Sequence, residues 1–218
     1  MTDPESVRRA IVDAARRLRS SGLVTGTSGN VSARDPSASS ILVTPSGVDY
    51  DQMTAAEVVA VGLDGRVAPG SPVPSVDTPN HLAIYRARAD VGAVVHTHSP
   101  YATAFAIVRR SIPAVHLEAA GYLGGPVRVG EIRLSGPDVP DRMAAALAGG
   151  RAILLPNHGV VAVGETLPAA LHAAQSVEDA ARFAWLASCL GEPVPLDDAE
   201  IERLHAFIHR HYGQRPSP

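Results

Sequence analysis

Two histidines, His96 and His98, end an apolar run that begins at Gly92, and Ser99-Pro100 follows them. On an extended strand alternate side chains share a face, so both imidazoles point the same way, about 6.5–7 Å apart along the backbone. At that spacing two rings can tilt onto one metal ion, about 2.0–2.1 Å from each nitrogen. The alternative is that one ring is buried in the core while the other ends the strand, and a third histidine must decide between the two.

His158 is the best third candidate, because it lies in a turn, 156–159, between apolar runs at 152–155 and 160–163. A polar residue in such a turn is poorly placed for core packing and well placed for a site. Three histidines at strand ends form the donor set of an open catalytic metal site, with a position left for a carboxylate, water or substrate. Zinc is the usual occupant. A structural zinc site would normally use several cysteines, whereas this chain has only Cys189.

Two polar segments could supply the rest of a site. Asp77, directly before a helix, is the acid that could join the histidines or act as a base beside them, although it could also cap the helix that starts near Thr78. Segment 24–34 combines glycines with small hydroxylic residues, so its amides could form an anion-binding nest with Thr27 and Asn30 among the donors. An ordinary turn is the alternative, and neither a Walker A loop nor G-x-G-x-x-G is present.

Hydrophobic periodicity and capping residues predict the elements that carry these groups. The predicted helices are one from the cap at Asp3 to the stop at Gly22, a short one after the Thr54-x-x-Glu57 capping box, one with Thr78 as N-cap, and those at 99–110, 137–148, 166–190 and 197–211. The predicted strands are one at the end of segment 24–34, those at 41–44, 58–63, 92–98, 152–155 and 160–163, and further short ones between 112 and 134. On the helix at 166–190 we expect Phe183, Trp185 and Leu186 in the core.

The overall composition excludes several classes of protein. At 218 residues and a formal charge of −3, the chain is long enough for one α/β domain and has no lysine or arginine run for nucleic acid or an anionic membrane. No stretch of about 18 apolar residues could span a bilayer, and the amino-terminal residues do not resemble a signal peptide. A single cysteine fits a reducing cytosol, so we expect a cytoplasmic protein with one domain over 1–213 and a frayed tail at 214–218.

Five motifs stand in an order that resembles the class II aldolase/adducin family, and the resemblance covers nearly the whole chain. They are Gly26-Thr27-Ser28-Gly29-Asn30-Val31-Ser32, Thr44-Pro45-Ser46-Gly47, Pro74-Ser75-Val76-Asp77, His96-Thr97-His98 and Asn157-His158-Gly159. The resemblance implies an α/β fold with three layers, α/β/α, around a central, mainly antiparallel sheet. It also implies assembly as a C4 homotetramer.

The resemblance further implies a role for each motif. Zinc, with manganese or cobalt as the alternatives, would be held by His96, His98 and His158. Asp77 would be the catalytic acid, and Tyr212 would reach from one subunit into the site of its neighbour. The phosphate of a sugar phosphate would be bound by the polar loops, at Thr27, Asn30, Ser46, Gly47 and Ser75.

Three activities remain open within this family. The favoured one is an aldolase that reversibly cleaves a ketose 1-phosphate, such as L-fuculose 1-phosphate or a 5-deoxypentulose 1-phosphate, into dihydroxyacetone phosphate and an aldehyde through an enediolate. The Asp77-Thr78-Pro79 segment instead resembles the L-ribulose-5-phosphate 4-epimerases, but their second catalytic aspartate falls near Gly121, which cannot transfer protons. Val76 replaces a second phosphate-binding serine of the aldolases, and Glu118 could either replace the missing acid or pair with an arginine. A non-catalytic adducin-like domain is the third alternative, which the intact metal ligands argue against.

Overall fold

The computed structural model describes residues 3–36, 39–132 and 136–211. Its helices are α1 (Pro4–Ser20), α2 (Thr78–Ala87), α3 (Pro100–Ile107), α4 (Leu117–Leu123), α5 (Val139–Leu147), α6 (Leu167–Leu190) and α7 (Asp198–His211), with a short 3-10 helix at Ala55–Glu57. Its strands are β1 (Asn30–Arg34), β2 (Ser40–Val43), β3 (Val59–Gly62), β4 (Ala93–Thr97), β5 (Ala152–Leu155) and β6 (Gly159–Gly164).

The six strands form one sheet in the order β3-β2-β1-β4-β6-β5, and each neighbouring pair is antiparallel. The predicted, mainly antiparallel sheet is therefore confirmed. β4 occupies a central position between β1 and β6, where both of its edges are paired. The strand that ends in the two histidines is thus held on both sides by backbone hydrogen bonds.

Alternation of side chains along the strands explains why helices cover both faces of the sheet. Val31 and Ala33 of β1 pack in one apolar cluster with residues of α1 and α6. Val94 of β4, on the opposite face, packs with residues of α2 and α5. Because successive residues of a strand point to opposite faces, this arrangement gives helices, sheet and helices, as predicted.

The region between 112 and 134 differs from the prediction of short strands. Its described residues, 112–132, contain helix α4, and their strand-like pairing is limited to isolated bridges such as Ile112 with Val127. Gly121 lowers the helical signal of this segment. In the structure that glycine lets α4 approach α7, since a Cβ there would lie 2.7 Å from Ile208 Cδ1. Long-range packing therefore outweighs local propensity here.

The long helix α6 faces the sheet with small residues rather than with its large apolar ones. Phe183, Trp185 and Leu186 are 42%, 49% and 40% exposed, so the expectation that they form core was wrong for a single chain. The buried stripe of the helix is mostly alanine, with Ala173, Ala174, Ala181 and Ala184 at 1% exposure or less. None of the helices in the described ranges is long and apolar enough to cross a membrane.

Candidate metal centre

Three imidazoles meet at the carboxyl end of β4. His96 and His98 lie on that strand and directly after it, and His158 lies in the turn between β5 and β6. Because β6 pairs with β4, the turn before β6 is brought to the same end of the sheet. The donor nitrogens of the three rings lie within 4.8 Å of one another, and the ring centroids are 4.6–4.8 Å apart. The predicted convergence of the three histidines is therefore present.

The state of His96 suits metal binding. Its Nδ1 lies 2.9 Å from the Val160 carbonyl oxygen, which can only accept, so Nδ1 carries the proton and Nε2 presents its lone pair toward the other rings. Burial lowers the pKa of His96 to about 3, so the ring is neutral at physiological pH. Its Nε2 faces the Nε2 of His98 at 3.0 Å. A divalent cation bound by the three rings would fit this donor set after small side-chain rotations.

Two glycines allow neighbouring segments to approach β4 closely. A Cβ at Gly159 would collide with the Thr97 carbonyl oxygen and lie 2.9 Å from His98 Cδ2. On the other side of the strand, a Cβ at Gly29 would lie 2.7 Å from the His96 carbonyl oxygen. Gly29 also has a φ of +75°, a left-handed conformation that glycine adopts without strain. The histidine-bearing strand therefore has glycine against both edges.

Asp77 is the N-cap residue of α2, one position earlier than predicted, but its carboxylate does not cap the helix. Its Oδ2 accepts a hydrogen bond from Asn30 Nδ2 at 2.7 Å, and its Oδ1 accepts one from Asn80 Nδ2 at 3.1 Å. Oδ2 also lies 3.9 Å from His96 Nε2. Burial alone raises the pKa of Asp77, but attraction to the His96 ring, which gains a proton only in acid, and the hydrogen bond from the Asn30 amide outweigh this effect, so the pKa lies below its ordinary value. The carboxylate is therefore ionised beside the three rings.

The polar loops lie at this same end of the sheet. Asn30, which ends the first loop, is directly opposite His96 in the register of β1 with β4. The loop after β2 and the segment before α2 are joined, because the Ser75 N–H donates to the Thr44 carbonyl at 3.0 Å. The residues predicted to bind phosphate are thus carried on connected loops: Thr27, Asn30, Ser46, Gly47 and Ser75.

These five residues differ in exposure. Thr27, Ser46 and Gly47 are exposed and open to a ligand, whereas Asn30 and Ser75 are buried. The amide nitrogen of Asn30 already donates to Asp77, and its Oδ1 is a buried acceptor without a hydrogen-bond partner within the described part of the chain. Asn30 therefore connects the polar loops to the acid, a contact that the sequence did not predict.

Other residues singled out in the sequence lie away from these contacts or outside the described residues. Tyr212 falls in the undescribed range 212–218, so its position in a neighbouring subunit's site stays a prediction. Glu118 lies exposed in the first turn of α4.

Sequence reasoning missed Asn80 and Glu178. The sequence offers one indication of Asn80, because this residue follows Asp77 by three positions. Glu178 is a buried carboxylate on α6 that accepts the N–H groups of Tyr101 and Ala102, both at 2.9 Å. It therefore caps α3, which begins just after His98, and a negative charge is stabilised at a helix amino terminus. No local signal points to Glu178, because the helix it caps lies far away in the sequence.

Known proteins that are similar to this chain share the fold described above. Residues 9–185 match the family model described as Class II Aldolase and Adducin N-terminal domain. The chain belongs to this family. A 5-methylthioribulose-1-phosphate/5-deoxyribulose-1-phosphate aldolase of Rhodospirillum rubrum is 38% identical over 218 residues, which cover 98% of this chain and 96% of the relative.

Two further known proteins are similar to this chain over nearly their whole length. An L-ribulose-5-phosphate 4-epimerase of Salmonella paratyphi B is 34% identical, over 97% of this chain and 100% of the relative. A solved structure of an L-fuculose 1-phosphate aldolase superposes with a TM-score of 0.88 at 33% identity, over 93% of this chain and 96% of that one. The predicted family and fold are confirmed, and the enzyme class is that of the class II sugar-phosphate aldolases, which are lyases.

Replacement of His158 by alanine tests the metal centre. We expect the affinity for zinc to fall by more than about a hundredfold, because one of three ligands is lost. Metal content after dialysis, measured by mass spectrometry, and zinc titration give the comparison with the unchanged protein. His172→Ala, at an exposed position on α6, is the matched control and should retain the metal. Full zinc affinity in the His158 variant would refute the site.

Proposed function

We propose that the chain is a metal-dependent aldolase that reversibly cleaves a ketose 1-phosphate into dihydroxyacetone phosphate and an aldehyde. The observation that carries this proposal is the cluster of His96, His98 and His158 with the ionised Asp77 carboxylate beside it. The Rhodospirillum rubrum aldolase and the L-fuculose 1-phosphate aldolase are both named for ketose 1-phosphates, and this shared class of substrate supports the choice.

Zinc is the metal that we propose, with manganese or cobalt as the alternatives. Neutral imidazole is a donor that zinc prefers, and three histidines with an open position are typical of catalytic rather than structural zinc. When bound, the cation would act as a Lewis acid toward the substrate carbonyl and stabilise the negative charge left by cleavage of the C–C bond.

The polar loops would bind the substrate phosphate. Backbone N–H groups and hydroxyls gathered in a turn form a concave site for an anion. A phosphate bound away from the reacting carbons would orient the substrate and leave the C–C bond accessible to the metal and to Asp77. The residues that we propose for this role are Thr27, Asn30, Ser46, Gly47 and Ser75.

In the direction of aldehyde addition, the Asp77 carboxylate would take the proton from the dihydroxyacetone phosphate carbon that attacks the aldehyde. In the direction of cleavage, the protonated acid would return that proton to the same carbon. The Asp77 carboxylate is ionised and held by two side-chain amides, those of Asn30 and Asn80, so it is a base in a fixed orientation. Tyr212 from a neighbouring subunit would exchange a proton with the oxygen of the aldehyde.

The alternative function is a 4-epimerase, which the name of the Salmonella relative and the Asp77-Thr78-Pro79 segment favour. The surroundings of Gly121 argue against it, because the second acid of the epimerases falls near this position. A Cβ there would lie 3.1 Å from Leu204 Cβ and 2.7 Å from Ile208 Cδ1, so an acidic side chain would require both of these α7 residues to shift. A non-catalytic adducin-like domain is less favoured, since it would not need three converging histidines.

We also propose that the protein is a homotetramer and that it is located in the cytoplasm. The large apolar side chains of α6 support an assembly, because exposed apolar patches mark protein interfaces; Phe183 and Trp185 are 42% and 49% exposed in the single chain. The exposed free thiol of Cys189 is compatible with a reducing compartment.

Incubation of the metal-loaded protein with a panel of ketose 1-phosphates tests the activity. We expect release of dihydroxyacetone phosphate, measured by coupled reduction with NADH, and loss of this release after chelation of the metal. Formation of a C4 epimer from L-ribulose 5-phosphate, with no triose phosphate released from any substrate, would establish the epimerase instead. A protein that binds no metal and has neither activity would favour the adducin-like domain.

Substitution of Asp77 by asparagine should lower kcat by about 10²–10⁴-fold, because the base is lost while the shape is kept. Bound zinc per chain should stay close to that of the unchanged protein. The control is Asp13→Asn, at an exposed position on α1, which should leave kcat unchanged. A loss of zinc that accounts for the loss of activity would make Asp77 a metal ligand rather than a base.

Deletion of residues 212–218 tests the proposed contribution of Tyr212. We expect turnover to fall by about 10²-fold, as for loss of a group that transfers a proton. Sedimentation velocity should give the same tetramer for the deleted and the full-length protein. Full activity of the deleted protein would exclude the role of Tyr212, and a full-length monomer would contradict the assembly.

A further inference from the structure

One face of β1 is joined to helix α2 by a regular series of hydrogen bonds. Asn30 donates to the Asp77 carboxylate at 2.7 Å. Two residues further along the strand, Ser32 Oγ lies 2.7 Å from His81 Nδ1 and 2.9 Å from the Tyr85 hydroxyl. The series continues two residues further along the strand, at Arg34.

Arg34 forms the last step of this series. Its guanidinium donates to the carbonyl oxygens of Tyr85 at 2.7 Å and Arg88 at 3.1 Å, at the carboxyl end of α2. The same guanidinium donates to the Val91 carbonyl at 2.7 Å. Residues from the start, the middle and the end of α2 are therefore bound to alternate residues of one strand.

The geometry of the two elements explains why the contacts repeat. Two residues of a strand advance by about 6.6 Å, and four residues of a helix advance by about 6 Å. Alternate residues 30, 32 and 34 of β1 therefore match residues 77, 81 and 85 of α2, which are spaced by four. We call the middle step of this series, Ser32 with His81 and Tyr85, the buried polar triad.

The buried polar triad is closed to water. Ser32, His81 and Tyr85 are 0%, 1% and 2% exposed. Burial lowers the pKa of His81 to about 4 and raises the pKa of Tyr85 above its ordinary range, so all three groups are uncharged at neutral pH. Removal of one hydrogen-bond partner from such a buried group lowers the stability of the folded protein, because no water can replace the partner.

If these three positions served only to pack the helix on the sheet, apolar residues would be sufficient. Val94 on the same face of the neighbouring strand β4 packs against α2 and α5 through apolar contacts alone. An apolar contact tolerates sliding and rotation of a helix, whereas a hydrogen bond in a dry environment does not. The triad therefore supplies a fixed register between β1 and α2 that apolar packing would not.

That register determines where the Asp77 carboxylate lies. β1 is tied to the histidine-bearing strand by the backbone, with Asn30 directly opposite His96. Helix α2, in contrast, is tied to β1 only through side chains. A small rotation or shift of α2 would move Asp77, at its first turn, away from its position 3.9 Å from His96 Nε2.

We propose that Ser32, His81 and Tyr85 are positioning residues that hold α2 in register with β1 and thereby keep the Asp77 carboxylate in its place beside the histidines. This inference rests on the function proposed for Asp77. It concerns residues that do not contact the substrate, and it goes beyond the ligands and loops already described.

A double-mutant cycle tests the proposal in the metal-loaded protein. Ser32→Ala removes both hydrogen bonds of the serine, and Tyr85→Phe removes one hydroxyl with little change in volume. Each variant is made with Asp77 present and in the Asp77→Asn background. With Asp77 present we expect kcat to fall about tenfold for Ser32→Ala, with KM and bound zinc nearly unchanged, because a misplaced base slows the chemical step.

In the Asp77→Asn background the same substitutions should change kcat by less than about twofold, since effects that act through one group are not additive. Hydrogen exchange gives a second measurement that does not depend on activity. We expect faster exchange of α2 amides in Ser32→Ala and Tyr85→Phe, with unchanged exchange in α5, which packs beside α2 on the same face of the sheet.

Matched controls are Ser21→Ala and Tyr122→Phe. The Ser21 hydroxyl contacts the carbonyls of Arg17 and Leu18 at 2.8 and 3.2 Å, and the Tyr122 hydroxyl donates to the Ala169 carbonyl at 3.0 Å. These variants lose similar hydrogen bonds away from the triad and should retain kcat.

Two results would overturn the proposal: an unchanged kcat in both triad variants, or an equal loss of kcat with and without Asp77, which is the behaviour of general destabilisation. A full kcat in Asp77→Asn alone would show that the proposed function of Asp77 has failed, and the role of the triad with it. Because the Asp77 variant is measured by itself, the two failures are distinguishable.

Discussion

The site depends on the antiparallel pairing of β4 with a strand on each side. Backbone hydrogen bonds fix the separation and the register of such strands, so a residue opposite His96 on either side has a defined place. Asn30 of β1 and Val161 of β6 occupy these places. Groups from distant parts of the sequence therefore reach one end of the sheet through the sheet itself, and long loops are not needed to bring them together.

Burial disfavours charge on both His96 and Asp77, which lowers the pKa of His96 and by itself raises the pKa of Asp77. It favours the neutral form of His96, which is the form that can donate a lone pair to a cation. It also disfavours the charged form of Asp77, yet the hydrogen bond from the Asn30 amide stabilises the ionised carboxylate, whose pKa lies below its ordinary value. The exposed hydroxyls of Thr27 and Ser46 lie at the open side, where a charged ligand could arrive from solvent. The site thus combines one buried ring, that of His96, with two partly exposed rings and with exposed hydroxyls in the neighbouring loops.

The parts of the molecule with strong local signals were predictable from the sequence. Alternation and apolar runs located the strands, and the spacing of His96 and His98 indicated that they share a face. Helix α4 was missed because Gly121 weakens its local signal, and the exposure of Trp185 was missed because periodicity does not show which apolar face meets the sheet. The contacts of Glu178 and Ser32 join residues 76 or more and 49 or more positions apart, so no local pattern could reveal them.

The glycines beside β4 restrict how this protein can change. Gly29 and Gly159 lie against opposite edges of the histidine-bearing strand, and any larger side chain would push a neighbouring segment outward. A library of variants could change exposed loop positions other than those proposed to bind phosphate, while leaving these two glycines constant. Two residues that carry no functional group therefore constrain the site, because neither position has room for even a methyl group.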